Sequence, residues 1–246
     1  MLEGGYSFFD FDNTLYKGRS RYLILDFAEF LDGKSCFDPV EKQKIKSLFS
    51  SYKKGFITRH DFGVLVVESY YRGLMDIEVK KIQDLAASFW GHIKTEAWFS
   101  YTIPLLKILN TATILILISG SPIEILEIIN NTLSFNKIYA SMGVIKNGIY
   151  TGLTWKEMAT YTAKADVMES LSKTSSFDPA TSFAFGDSES DYPLLNSVCP
   201  QNAYMLGAVI GDKTPGKNFG WNYLDQEEEV LNSVNSRIIT LFQRDL

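Results

Sequence analysis

The segment Ser7-Phe8-Phe9-Asp10-Phe11-Asp12-Asn13-Thr14 decides how the rest of the chain is read. A short, mostly apolar run leads straight into Asp10, and a second carboxylate follows two positions later at Asp12. Asn13 and Thr14 supply turn chemistry. A buried parallel strand ends in this way, with polar groups at its carboxyl edge, where open α/β sheets place their sites. Packing explains neither acid, because aspartate is rarely buried unless it is paired, hydrogen-bonded or bound to metal. The fold must therefore bring partners to this point from elsewhere in the chain.

Downstream of Thr14 the strand period gives way to helical periods. Apolar positions predict a helix over Ser20–Leu31, with Ser20 as its cap and Gly33 as its stop. A second opens at Asp38-Pro39, and two more cover Thr58–Tyr71 and Asp76–Ile93, with Asp76 capping the last. From about Ala97 the pattern alternates: a helix at Pro104–Leu109, then a buried strand at Thr113–Ile118 that runs into Ser119-Gly120-Ser121-Pro122. A helix at Ile123–Leu133 and a short strand at Lys137–Ser141 follow, then a hairpin signal at Asn147-Gly148. A helix at Ala163–Leu171 precedes a strand at Ser182–Phe185, which ends in Gly186-Asp187-Ser188. The expected fold is α/β, a Rossmann-like parallel sheet interrupted after its first strand by a helical module. Residues 1–17 and 97–246 would form the core, and residues 18–96 the inserted helices.

Composition narrows the class. At 246 residues, 46% hydrophobic and 22% charged, the chain suits one large domain or a core with a sizeable insertion. A formal net charge of −5 argues against a nucleic-acid-binding face. Cys36 and Cys199 form no CxxC pair, which excludes a zinc ribbon or disulfide framework and suits a reducing compartment. The most apolar stretch, Ile114–Ile118, is far shorter than the ~20 residues of a membrane span. With no signal-peptide pattern at the N-terminus, a cytoplasmic protein without a membrane span is expected.

Three strand ends carry polar groups: Asp10 with Asp12, Ser119, and Asp187 with Asp191. In a parallel sheet these ends share one edge and converge on one cleft. Carboxylates gathered there repel one another unless a cation sits among them, and hard oxygen ligands suit Mg2+, which keeps places for water and phosphate oxygens. That combination favours phosphoryl chemistry on a small phosphorylated substrate. Asp10 is the candidate nucleophile, since a carboxylate attacking phosphorus gives an acyl-phosphate that water can hydrolyse. Asp12 is the candidate general acid and base. Ser119 and the backbone N–H groups around Gly120 would receive phosphate oxygens, and Lys164 would neutralise charge, with Lys156 and Lys173 as nearby alternatives. Each feature taken alone has a plainer explanation as a turn, a helix entry or a solvated lysine. Their order along the chain favours the joint reading.

Asp10-Phe11-Asp12-Asn13-Thr14, Ser119-Gly120-Ser121-Pro122, Lys164 in Y-T-A-K-A-D-V, and Gly186-Asp187-Ser188-Glu189-Ser190-Asp191 occur in an order that resembles the haloacid dehalogenase-like phosphohydrolases. Within that family the chain is similar to the branch related to phosphoserine phosphatase, and its helical block resembles that branch's small cap domain. The resemblance implies aspartyl-phosphate catalysis with Mg2+ held by Asp10, the backbone carbonyl of Asp12 and Asp187, with Asp191 in support. Close relatives carry an acidic residue nine positions after the nucleophile, which phosphoserine phosphatases use for the substrate amine. Here that position is Arg19, which points instead to an anionic substrate. Arg59 and Arg72 are further candidates for the cap side of the cleft. A phosphotransferase or mutase of the same fold, or a non-catalytic binding protein, are the competing functions.

Overall fold

In the computed structural model, which describes residues 2, 5–94, 96–174, 177–206, 219–224 and 227–244, strand β1 (Tyr6–Phe9) is followed by helices before any second strand. These are α1 (Leu23–Gly33), α2 (Pro39–Lys53), α3 (Arg59–Gly73) and α4 (Val79–Ile93). The sheet resumes through α5 (Thr102–Ala112) and β2 (Ile114–Pro122), then α6 (Ile123–Leu133), β3 (Lys137–Lys146), β4 (Ile149–Lys156) and α7 (Tyr161–Thr174). After β5 (Phe183–Gly186) come a short turn of helix at Glu189–Asp191, α8 (Tyr192–Leu195), β6 (Ala203–Met205), β7 (Asn222–Tyr223) and α9 (Glu227–Arg244).

The strands lie in the order β4-β3-β2-β1-β5-β6-β7, all parallel except the β3–β4 hairpin at one edge. β1 is thus central. Phe9 stands opposite both Leu117 of β2 and Phe185 of β5, so the three strands reach the site edge in register. Alternation along them feeds two cores. Phe9, Leu117 and Phe185 face one hydrophobic cluster, while Phe8, Ile116 and Ala184 face the other. The first cluster runs on without a break into α1–α4 through Phe27, Phe62, Tyr70 and Phe89, so the inserted helices share a core with one side of the sheet.

The insertion is joined to the β3–β4 hairpin as well as to its own chain ends. Asp76 N–H donates to Tyr150 O at 3.0 Å, Tyr150 N–H to Ile77 O at 3.0 Å, and Val79 N–H to Gly148 O at 2.9 Å. Nearby, Tyr70 of α3 donates its hydroxyl to Glu124 Oε1 at 3.0 Å, and the Tyr71 hydroxyl donates to Ser141 O at 2.7 Å.

Several boundaries differ from expectation. Asp76 takes a left-handed conformation (φ 65°) and its N–H goes to the hairpin, so α4 starts only at Val79. Ser20 precedes α1 without capping it, because the helix starts only at Leu23 and the Ser20 hydroxyl is spent on Tyr22, donating to its carbonyl at 2.8 Å and accepting its N–H at 3.2 Å. Pro122 ends β2 instead of entering the first turn of α6, and β3 runs to Lys146 because β4 pairs with its far half. No helix among the described residues is long and apolar enough to cross a membrane.

Candidate active site

Asp10 extends the β1 ladder by one step, its N–H donating to Phe185 O at 3.0 Å. The chain then turns back on itself. The N–H groups of Thr14, Leu15 and Tyr16 all point to Phe11 O, at 3.3, 2.9 and 2.9 Å. Asn13 sits at φ 63°, a conformation that asparagine tolerates better than most residues. This loop presents Asp12 beside Asp10, and groups from outside the loop hold both of its carboxylate oxygens. Leu23 N–H, at the first residue of α1, donates to Asp12 Oδ1 at 2.7 Å, and Ser121 Oγ donates to Asp12 Oδ2 at 2.7 Å.

Lys164 enters from the first turn of α7 and is buried, with Nζ at 2.6 Å from both Asp10 Oδ1 and Asp191 Oδ1. Lys156 and Lys173, the sequence alternatives, lie elsewhere: Lys156 stands over the Tyr139 ring, and Lys173 is exposed beside Glu169. Asp191 uses its other oxygen to close its own loop, accepting the N–H groups of Asp187 and Ser188, each at 3.0 Å. Gly186 permits that fold, since a Cβ there would collide with the Asp191 side chain. Ligand-accepting oxygens of Asp10, Asp187 and Asp191 lie within 4.8 Å of one another, and all three residues are buried.

The electrostatics follow from this crowding. Burial, reinforced by Asp191, pushes Asp10 up to about 6 despite the pull of Lys164. Burial and the neighbouring charge of Asp10 push Asp12 up to about 7. Asp187 is raised well above the usual carboxylate range by burial and then by Asp191 and Asp10. Asp191 is the exception. Burial opposes its charge, but the Lys164 ion pair and the Ser188 hydrogen bond hold it below the usual range. Four carboxylates face two cations, Lys164 and Arg59, a formal excess of two negative charges that one divalent cation would cancel.

A cleft of about 30 Å³ lies over this cluster, lined by Asp10, Asp12, Tyr22, Arg59, Phe62, Gly120 and Lys164 among others. Gly120 faces it closely enough that a Cβ would strike Ala159. Ser119 is fully buried, and its Oγ accepts Ser121 N–H at 3.1 Å. Of the three candidate arginines, Arg59 lines this cleft and Arg19 and Arg72 do not. Arg19 lines a separate cavity of about 740 Å³ between α1, α2 and α4, because Asp26 accepts its backbone N–H and holds the loop on that side. Arg72 lies 3.6 Å from Glu41 on an exposed part of α3. Arg59 takes the place at the cleft, with its guanidinium 6.0 Å from the Tyr22 ring centre and 5.8 Å from that of Phe62. It is the first residue of α3, whose start is fixed by Thr58 and Asp61 capping each other, a pattern visible in T-R-H-D. Ser121 had a signal too, since it lies within S-G-S-P, but nothing in the sequence says which hydroxyl reaches Asp12.

No curated protein sequence matches the chain. Solved structures do match in fold. A substrate-bound phosphoserine phosphatase complex superposes with a TM-score of 0.66 at 16% identity, covering 94% of this chain and 99% of that one. A protein of unknown function from Bordetella pertussis Tohama I gives 0.71 at 18% identity, over 92% and 99% of the two chains. A cytosolic 5'-nucleotidase IIIB bound to cytidine gives 0.64 at 14%, over 98% and 87%. The profile of the haloacid dehalogenase-like hydrolases matches residues 7–196, which span every site residue from Asp10 to Asp191, and the chain belongs to that family.

Proposed function

We propose that this hydrolase is a divalent-metal-dependent phosphatase of small, anionic phosphomonoesters, working through a phosphoryl group carried on Asp10. The observation that carries the reading is the placement of Asp10, Lys164 and Asp12 in one narrow cleft. Lys164 holds Asp10 Oδ1 and leaves Oδ2 as the attacking atom, and it keeps the nucleophile ionised near phosphate. Asp12, raised to about 7, retains a proton close to neutrality, which suits protonation of the leaving alkoxide and later activation of water. The carboxylates of Asp10 and Asp187, joined by the Asp12 carbonyl as the family resemblance implies, make a hard-oxygen donor set with an excess of negative charge, which fits Mg2+. When bound, that ion would offset charge on the phosphoryl oxygens. Asp191 is tied to Lys164 and to its own loop, so its part is to position these groups.

Residues 18–96 act in this reading as a cap. A cleft of about 30 Å³ holds a few waters at most, so a substrate enters only when α1–α4 move away, and water is excluded when they return. Arg59 is the cation that the cap contributes to the cleft wall, beside the apolar side chains of Tyr22, Phe62, Val66 and Val67. That wall suits a compact ester with a second anionic group. The test is phosphate release from a panel of sugar, glycerol, carboxylated and amino-acid phosphates with Mg2+, repeated with chelator. Metal-dependent release, fastest for carboxylated or doubly phosphorylated esters, is expected. No release from any member overturns the reading, and a clear preference for phosphoserine overturns the assignment of an anionic substrate without an amine.

A further inference from the structure

We infer that Ser121 is a positioning residue that fixes the Asp12 carboxylate between the core and the cap and thereby supports proton transfer to the leaving group. The inference rests on the phosphatase reading above and adds a residue to it. Asp12 has two partners, one from each side of the cleft. Leu23 N–H belongs to the first turn of α1, in the inserted helices, whereas Ser121 Oγ belongs to the end of β2, in the sheet. Both contacts are 2.7 Å, and Ser121 is fully buried.

The serine is itself held. Its N–H donates to Ser119 Oγ at 3.1 Å, and the intervening Gly120 carbonyl accepts Ser141 Oγ at 2.7 Å. The hydroxyl therefore projects from a fixed backbone, and its direction sets the torsion of Asp12. The two partners also differ in kind. A backbone N–H only donates, so it can hold a carboxyl oxygen only while that oxygen carries no proton, whereas a hydroxyl donates to a bare oxygen and accepts from a protonated one. Ser121 can keep hold of Asp12 Oδ2 whether or not that oxygen is protonated, whereas Leu23 N–H holds Oδ1 only while Oδ1 is bare. If the cap lifts and Leu23 moves with α1, Ser121 is the partner that stays with the sheet. A glycine or alanine at 121 would leave Asp12 tethered only to the moving side.

The experiment compares Ser121→Ala, Ser121→Thr and Asp12→Ala with the parent in Mg2+, reading kcat/KM for two esters. One is 4-nitrophenyl phosphate, whose leaving group needs little protonation; the other is glycerol 3-phosphate, whose alkoxide needs a proton. kcat/KM reports only steps up to phosphoryl transfer, so later hydrolysis does not enter. General acid catalysis contributes about 10²–10⁴-fold, and loss of positioning should remove part of it. Ser121→Ala is expected to lose about tenfold or more with glycerol 3-phosphate and less than about threefold with the aryl ester, and Ser121→Thr to recover most of the loss. Thermal unfolding of each variant separates misfolding from misplacement, since a folding defect lowers both esters in proportion. Equal losses on the two esters, or none, with Asp12→Ala still selective for the alkyl ester, overturn the role of Ser121 and leave the phosphatase reading intact. Where a panel member is cleaved faster than glycerol 3-phosphate, that member serves as the alkyl ester. If Asp12→Ala shows no selectivity, or the parent cleaves no alkyl ester of the panel, the reading beneath falls and the inference with it.

Discussion

Replacing Lys164 with methionine should expose how much of the site's architecture depends on one buried cation. Its side chain is 2% exposed and bridges Asp10 and Asp191, themselves 8% and 0% exposed, at 2.6 Å each. Methionine fills similar volume but leaves both carboxylates buried without their counter-charge. Breaking a buried pair in this way costs about 3–5 kcal/mol, and because both pairs share one ammonium the figure is not doubled. For a chain of 246 residues, about 2–4 °C per kcal/mol gives a Tm lower by roughly 6–20 °C at pH 7.5 in chelator. The deficit should depend on pH with a definite sign. Lys164 pulls down the pKa of Asp10 and Asp191, so without it both retain protons to higher pH in the folded state. A carboxyl whose folded pKa lies above its unfolded value of about 3.9 favours folding below that value, and the benefit is lost as pH rises through the folded pKa. The Lys164→Met deficit is therefore largest at pH 7.5 and shrinks toward pH 5. Circular dichroism melts across that range decide the matter. A Tm change below about 2 °C, or a deficit that widens on acidification, would refute the reasoning.

Asp10→Asn should abolish turnover while leaving the melt near that of the parent, because an amide cannot form the acyl-phosphate; measurable steady-state hydrolysis would remove Asp10 from its role. Arg59→Met should raise KM for doubly anionic esters by about 10–100-fold, the worth of charge-assisted hydrogen bonds, with far less effect on a neutral alkyl phosphate. Arg19→Ala should change neither KM by more than about twofold, and the opposite pattern would return Arg19 to the site. Glu124, buried and raised to about 7 by desolvation, binds its proton more tightly folded than unfolded. Its contribution should fall by about 3 kcal/mol as pH rises from roughly 4.5 through 7, so Glu124→Gln should flatten that part of the stability curve. Urea unfolding at pH 5 and 7.5 tests this, and an unchanged slope in the variant would count against it.

The carboxylate set was legible in the sequence because parallel strands oblige their carboxyl ends to meet. Asp10 and Asp187 directly follow β1 and β5, and Ser119 lies among the last four residues of β2, strands that the pattern of apolar runs located to within a few residues. Lys164 was singled out over Lys156 and Lys173 only by its place in the order of motifs, since what separates the three physically is that the packing of α7 against the sheet buries one of them. The arginines show the limit most clearly. Arg19 is near Asp10 in sequence, but the side of the loop on which it emerges depends on Asp26 accepting two backbone N–H groups. Arg59 is 49 positions from Asp10 and reaches the cleft because α3 spans the distance between it and the hairpin. Proximity along the chain says little about a residue in an irregular loop. Asp76 carried the same lesson: its side chain suggests a cap, and its backbone serves the hairpin.

The three backbone bonds between the insertion and the β3–β4 hairpin have a mechanical consequence. They lie beside Tyr70 and Tyr71 at one end of α3, while Arg59 stands at the other end, 11 residues away. At 1.5 Å per residue this is a lever arm of about 16 Å. With the hairpin as fulcrum, a tilt of about 15°, of the size seen in rigid-body switches, sweeps the guanidinium through about 4 Å while the tyrosine end scarcely moves. The same rod would be anchored at its buried tyrosine end and would travel farthest at the end that carries Arg59.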